Sequence, residues 1–192
     1  MNLRLRSKFP VTPLPPKCIL LDADVIINLY EMELWGPFKT AYAISVPSIV
    51  AREAKLYRDV NEIEHDIDVL KQRDEGITIL NSSPEDLALV TALLSGDLKE
   101  GLGDGELQAL ALIHCGQFSD GLFCTCDALA IETLAALGYS ERGVSLEQAL
   151  NIVGYTLSAR HRRRHFTQKY FQEHLNSGRA RRIQRRGVID SK

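Results

Sequence analysis

Compact apolar runs alternate along the chain with stretches of helical period. "CILLD" (18–22), "AYAISVP" (41–47), "ITIL" (77–80) and "GLFCTCD" (121–127) are short, apolar and bounded by polar or turn residues, and they predict buried strands. Between them, "VIINLYEMELW" (25–35), "SIVAREAKLYR" (48–58), "SSPEDLALVTALLSG" (82–96), "ELQALALIHCG" (106–116) and "ALAIETLAALG" (128–138) predict helices. "NEIEHDIDVLKQRDEG" (61–76) predicts another, with Ile63, Ile67 and Leu70 at helical spacing and Gly76 as its stop. Pro47 ends the second strand, a Ser–Pro start opens 82–96, and Ser145 with Gln148 fits a capping box after a short closing strand at "GVS". Such alternation predicts an α/β fold with a mainly parallel central sheet and a core that ends near Tyr155.

Charge divides the chain in two. Residues 1–159 hold 12 Lys/Arg against 23 Asp/Glu, net −11, whereas residues 160–192 hold 11 against 2, net +9. Three segments follow: a basic, proline-rich arm (1–16), the α/β domain (17–156) and a basic C-terminal helix and tail (157–192). In the tail, Phe166, Tyr170 and Leu175 predict one apolar stripe on a helix ending at Gly178, with a loose arginine cluster over 179–186. No apolar run nears the ~20 residues of a membrane span, and no apolar signal core follows the first basic residues, so no membrane association and a cytoplasmic location are expected. The four cysteines show no zinc spacing and are expected as small buried hydrophobes.

The candidate chemistry lies in the carboxylates. In an open parallel sheet, sites form beyond the carboxyl ends of the strands. Asp22 and Asp127 sit at two such ends; Asp24, Asp104 and Glu106 lie at helix starts, and Glu53 lies in the helix after the second strand. Each has an ordinary role available: Asp24, Asp104 and Asp127 as helix N-caps, Glu106 beside a helix dipole, Glu53 at the surface. Gathered in one cleft they would repel one another unless a cation intervenes. A histidine-free oxygen set favours Mg²⁺ or Mn²⁺ over zinc, and such a site can activate water against a phosphodiester.

These residues resemble the PIN-domain family of metal-dependent nucleases over about residues 17–153. "ILLDADVIINL" resembles its opening strand and aspartate, "ISVPSIVAREAK" its strand–proline–helix with glutamate, "GLGDGELQALALI" its third motif and "LFCTCDALA" its Thr-x-Asp strand end. Ala23 departs from the hydroxyl residue often found after the first aspartate. The resemblance implies a three-layer α/β/α sandwich and an endoribonuclease, in many such proteins a toxin. Catalysis and one or two Mg²⁺ or Mn²⁺ ions would fall to Asp22, Glu53, Glu106 and Asp127, with Asp104 competing for the third position and Thr125 helping to place the cluster.

The tail adds Arg162, Arg163, Arg164, Lys169, Arg181, Arg182, Arg185 and Arg186 as candidates for contact with the RNA substrate, since arginine pairs with phosphate and aromatics stack on bases. The same charge also suits the chain's own acidic body, an antitoxin-like protein partner or a homodimer. Two other readings stand beside the nuclease. One is a non-catalytic RNA-binding protein of the same fold. The other is a haloacid-dehalogenase-type phosphatase, whose Asp-x-Asp opening "LLDADV" resembles; that reading lacks a strand before "GDGE".

Overall fold

A computed structural model describes residues 17–94 and 96–184. The arm 1–16 and the candidates Arg185 and Arg186 lie outside the described residues. The strands are β1 (Lys17–Leu21), β2 (Tyr42–Pro47), β3 (Leu56–Arg58), β4 (Glu64–Asp66), β5 (Thr78–Leu80), β6 (Gly121–Cys124) and β7 (Gly143–Val144). The helices are α1 (Ala23–Glu31), α2 (Trp35–Ala41), α3 (Val50–Glu53), α4 (Pro84–Leu93), α5 (Asp97–Gly101), α6 (Asp104–His114), α7 (Ala128–Ala136), α8 (Leu146–Ile152) and α9 (Gln168–Ile183).

Five strands form a parallel sheet in the order β5-β2-β1-β6-β7. Alternation along β1 sets the layers. Ile19 and Leu21 point into a core with Val25, Ile26 and Leu29 of α1, Phe38 of α2 and Leu150 of α8. Leu20 points the other way, into a core with Val90 of α4, Leu110 of α6 and Leu134 of α7. The result is a three-layer α/β/α sandwich. The chain leaves β1 towards β2 and β5, then crosses back to β6 on β1's other side. The sheet therefore has its topological switch point between β1 and β6, where open α/β sheets form their sites.

The predicted helix at 61–76 is replaced by an antiparallel hairpin, β3–β4, and a 3₁₀ turn over Leu70–Glu75. The Asp59 carboxylate explains the change: it accepts from the N–H groups of Asn61 and Ile63 at 2.8 and 3.0 Å and fixes a local turn. Of the three apolar residues at helical spacing only Ile67 is buried, while Ile63 and Leu70 are 54% and 49% exposed. The helix expected over 48–58 stops at Glu53, because the backbone leaves the helical region at Ala54 and Tyr57 packs against Tyr30 with ring centroids 5.2 Å apart. The helix expected over 25–35 breaks at Glu33, whose φ is 59°, and Trp35 begins a new helix. Gly76 does end its element, in the left-handed conformation.

The C-terminal segment also differs from expectation. The core does not end near Tyr155, since Phe166, Phe171 and Leu175 are buried. α9 does not stop at Gly178; it continues through Arg179–Ile183, so the arginines there are helical rather than loose. Gly178 is a contact point instead: a Cβ there would strike the Glu132 carbonyl oxygen and lie 2.7 Å from the Ala135 Cβ. The bare backbone lets α9 press onto α7, where Phe171 and Leu175 pack with Ile131 and Ala135. Ion pairs fasten the seam. Glu132, 8% exposed, accepts from Arg181 Nε at 2.9 Å and pairs with His174 Nδ1 at 2.8 Å. Arg181 also donates both terminal nitrogens to Asp97, at 3.0 and 2.7 Å. Cysteines 124 and 126 are buried as expected, but Cys18 is exposed and Cys115 half-buried.

Gly178→Val is expected to destabilise the fold by about 2–3 kcal/mol, through overpacking of the α7–α9 seam. Gly36→Ala, whose added methyl meets nothing within 4 Å, should be neutral or stabilising by up to about 1 kcal/mol. Urea denaturation of both variants checks the contrast.

Candidate active site

The register of β1 against β6 builds the centre of the site. Leu21 pairs with Cys124, and the Asp22 N–H still donates to the Cys124 carbonyl at 3.2 Å, so the ladder runs to the last residue before α1. Asp22 is also the N-cap of α1, the place expected for Asp24, and its Oδ1 accepts from the Ala23 N–H at 2.7 Å. Asp24 lies exposed in the first turn of the helix. Asp127 caps α7, with Oδ1 accepting from the Ala130 N–H at 2.8 Å. Both strand-end aspartates thus hold a helix start through one oxygen.

Thr125 ties the two together. Its hydroxyl donates to Asp22 Oδ2 at 2.8 Å and accepts from the Asp127 N–H at 3.1 Å. It is completely buried. This small bridge fixes the spacing of the β1 and β6 carboxyl ends, in keeping with the placing role expected of it.

The helix contributions come from α3 and α6. Glu106 sits half-buried in the first turn of α6. Glu53, exposed at the end of α3, leans against the same turn: a Cβ on Gly105 would come within 2.6 Å of a Glu53 carboxylate oxygen. Asp104 does not cap α6; Gly103 occupies that position, and Asp104 is exposed one residue later.

Electrostatics shows which carboxylates act on one another. Asp22, 4% exposed, has its pKa raised to about 7, first by burial and next by the Glu106 charge, against the opposing hydrogen bonds from Thr125 and Ala23. Burial also raises the Glu106 pKa, followed by the charges of Asp127, Glu53 and Asp24. Glu106 is therefore the carboxylate that Asp22, Asp127, Glu53 and Asp24 share as a neighbour in charge, whereas Asp104 is not among the charges that act most on either raised carboxyl. Among the described residues, no three acidic, histidine or cysteine side chains are already drawn onto one ligating point. The donor set nonetheless fits a hard divalent cation: its atoms are carboxylate oxygens, and their mutual repulsion is what such a cation relieves.

A buried polar network below the carboxylates gave no motif signal in the sequence. Gln108, two residues after Glu106 and 3% exposed, accepts from the Ile49 N–H at 2.8 Å and donates to Ser48 Oγ at 3.2 Å. Ser48 Oγ in turn donates to Asn81. The network joins the ends of β2 and β5 to α6 and so fixes α3, which carries Glu53, against the turn that carries Glu106. A glutamine inside the apolar face of "ELQALALI" is the only trace the sequence offers.

The basic candidates divide by position. Arg162, Arg163, Arg164 and Lys169 are exposed near the start of α9. Arg163 lies 3.4 Å from Glu31 and Arg162 3.9 Å from Glu147. Arg181 is held by Asp97 and Glu132, and Arg182 packs over Gly138. The tail thus folds in part onto its own acidic body. No protein-family model and no curated protein matches the chain. Among the described residues, no helix is long and apolar enough to cross a membrane.

The raised Asp22 pKa has a definite linkage sign. The folded chain holds this proton more tightly than the unfolded chain, whose value is near 3.8. The stability it contributes is full below about pH 4 and lost as pH rises through about 7, on the order of 2–4 kcal/mol in all. Asparagine keeps the N-cap without the charge. Without added metal, Asp22→Asn should melt above wild type at pH 8, and the gap should close by pH 4–5 in thermal melts across that range.

Proposed function

We propose that this chain is a divalent-metal-dependent endoribonuclease of the PIN-like type, which cuts RNA phosphodiester bonds at the β1–β6 switch point. The observation that carries the reading is that Asp22 and Asp127 follow the neighbouring strands β1 and β6 at the switch point, joined through Thr125, with the raised carboxyl of Glu106 within reach of both charges. Asp22, Glu53, Glu106 and Asp127 would hold the ion. When bound, Mg²⁺ or Mn²⁺ supplies positive charge against the phosphodiester oxygens and lowers the pKa of a coordinated water.

The chain's own groups have separable tasks. Ala23 N–H and Thr125 Oγ1 each hold one Asp22 oxygen, so that carboxylate is oriented before any ligand arrives. The Ala130 N–H holds Asp127 Oδ1 and leaves Oδ2 for a ligand. Glu106, half-buried with a raised pKa, is suited to hold or pass on a proton at its carboxyl. Gln108 keeps α3 and α6 in register and so sets the Glu53–Glu106 approach. The phosphatase reading is weaker, because "GDGE" opens α6 directly after α5 and does not end a strand.

A cleavage assay on labelled RNA and DNA, with Mn²⁺, Mg²⁺ or chelator, tests the proposal. RNA cleavage should require metal and fall by about 100-fold or more in Asp22→Asn and Asp127→Asn, with both variants folded. Undiminished cleavage by Asp22→Asn, or cleavage in chelator, would overturn it. RNA binding with no cleavage under any metal would favour the non-catalytic reading.

A further inference from the structure

The two ends of α9 do different things with their positive charge. α9 runs parallel to α7: Phe171 packs with Ile131, Gly178 lies against Ala135, and Arg182 reaches Gly138. Its far end holds the fold together, with Arg181 engaged by Asp97 and Glu132. Its near end comes level with the start of α7, which Asp127 caps. The near end therefore stands at the carboxyl edge of the sheet, beside the acidic cluster. Electrostatics agrees: burial raises the Tyr170 phenol pKa, and the largest charge effect on it is that of Asp127.

Three side chains at this near end present unused binding capacity. The Arg164 side chain is 80% exposed, and its guanidinium carbon lies 5.6 Å from the centre of the Tyr170 ring. Its nearest carboxylate, Glu173, is 3.5 Å away and itself half in solvent. Lys169 is exposed and forms no ion pair among the described residues. A guanidinium laid on an aromatic face keeps its N–H edge outward, and that edge is the part that forks onto a phosphate. Tyr170 is itself held, half-buried, by its packing beside Phe171 and its 4.4 Å ring contact with His174.

We propose that Arg164 and Lys169 grip backbone phosphates of a nucleic-acid strand beside the carboxylate site, with Tyr170 as the positioning residue that orients the Arg164 guanidinium. The proposal rests on the nuclease reading for the identity of the strand. It also meets a need of that reading. A phosphodiester drawn towards four carboxylates is repelled by them, and cations at the rim offset that repulsion for the neighbouring phosphates.

The test is fluorescence anisotropy with a short labelled single-stranded oligoribonucleotide, in chelator so that nothing is cut, over a series of salt concentrations. Arg164→Ala should weaken binding about 5–10-fold and shallow the salt slope by about 0.7, the release expected for one phosphate contact on a single strand. Tyr170→Leu should weaken binding comparably, Tyr170→Phe should stay within about twofold of wild type, and Arg182→Ala should keep the wild-type slope. Circular dichroism melts confirm that each variant is folded. Wild-type affinity and slope in Arg164→Ala, equal loss in both Tyr170 variants, or equal binding of poly-glutamate by the wild type, which would mark an acidic protein as the partner, would each overturn the grip. Cleavage with Mn²⁺ separates the two claims. A strand held through Arg164 but never cut removes the nuclease reading alone, while cutting with an unchanged KM in Arg164→Ala removes the grip alone.

Discussion

Holding the Asp22 carboxylate out of water is the constraint around which the carboxyl edge of this sheet is arranged. A buried carboxylate with anionic neighbours is costly unless it is protonated, hydrogen-bonded or matched by a cation. The fold supplies two hydrogen bonds, from Ala23 and Thr125, and these do not suffice: the pKa remains near 7. Glu106, packed against the same edge, adds repulsion where a purely structural cap would avoid it. A chain selected for stability alone has little reason to place both there. Under the proposed function, the arrangement gives up stability in the free form to hold a cation well.

The remaining architecture can be followed outward from that point. Parallel pairing of β1 with β6 brings Asp22 beside the Thr125–Asp127 loop. The Ser48–Asn81–Gln108 network anchors α3 and α6, so that Glu53 and Glu106 approach from the β2 side. On the other flank, α9 covers α7 through Gly178 and the Glu132 ion pairs, which sets the start of α9 level with the cap of α7. The split in charge between body and tail thus has a geometric outcome: the far arginines bind the fold, and the near ones border its acidic edge.

The sheet and most of its helices were legible because strong local signals and tertiary packing agree there. "CILLD" and "GLFCTCD" are apolar enough to be buried on both faces, and Ser83 with Pro84 starts α4 as its residues suggest. The strand-end aspartates were legible for the same reason. Legibility failed where a local side chain or a distant surface decided the outcome. Asp59 turns 56–66 into a hairpin despite helical spacing of its apolar residues. Gly178 carries the usual stop signal, yet close approach to α7 makes it an interior residue. Asp22 takes the capping place that the sequence offered to Asp24, because α1 begins at Ala23, two residues before the apolar run that starts at Val25. Gln108 was invisible as a site residue, since its role depends on two loops distant in sequence.

The central claim is that the carboxylate edge exists to take a divalent cation, and proton release on binding tests it most directly. Calorimetric titration of Mn²⁺ into the protein at pH 6.5, in buffers of different ionisation enthalpy, counts the protons displaced. The account predicts binding with release of about one proton, shrinking towards none by pH 8.5, and loss of both binding and release in Asp22→Asn. Absence of Mn²⁺ binding to the wild type, or binding of equal strength and proton count in Asp22→Asn, would contradict it.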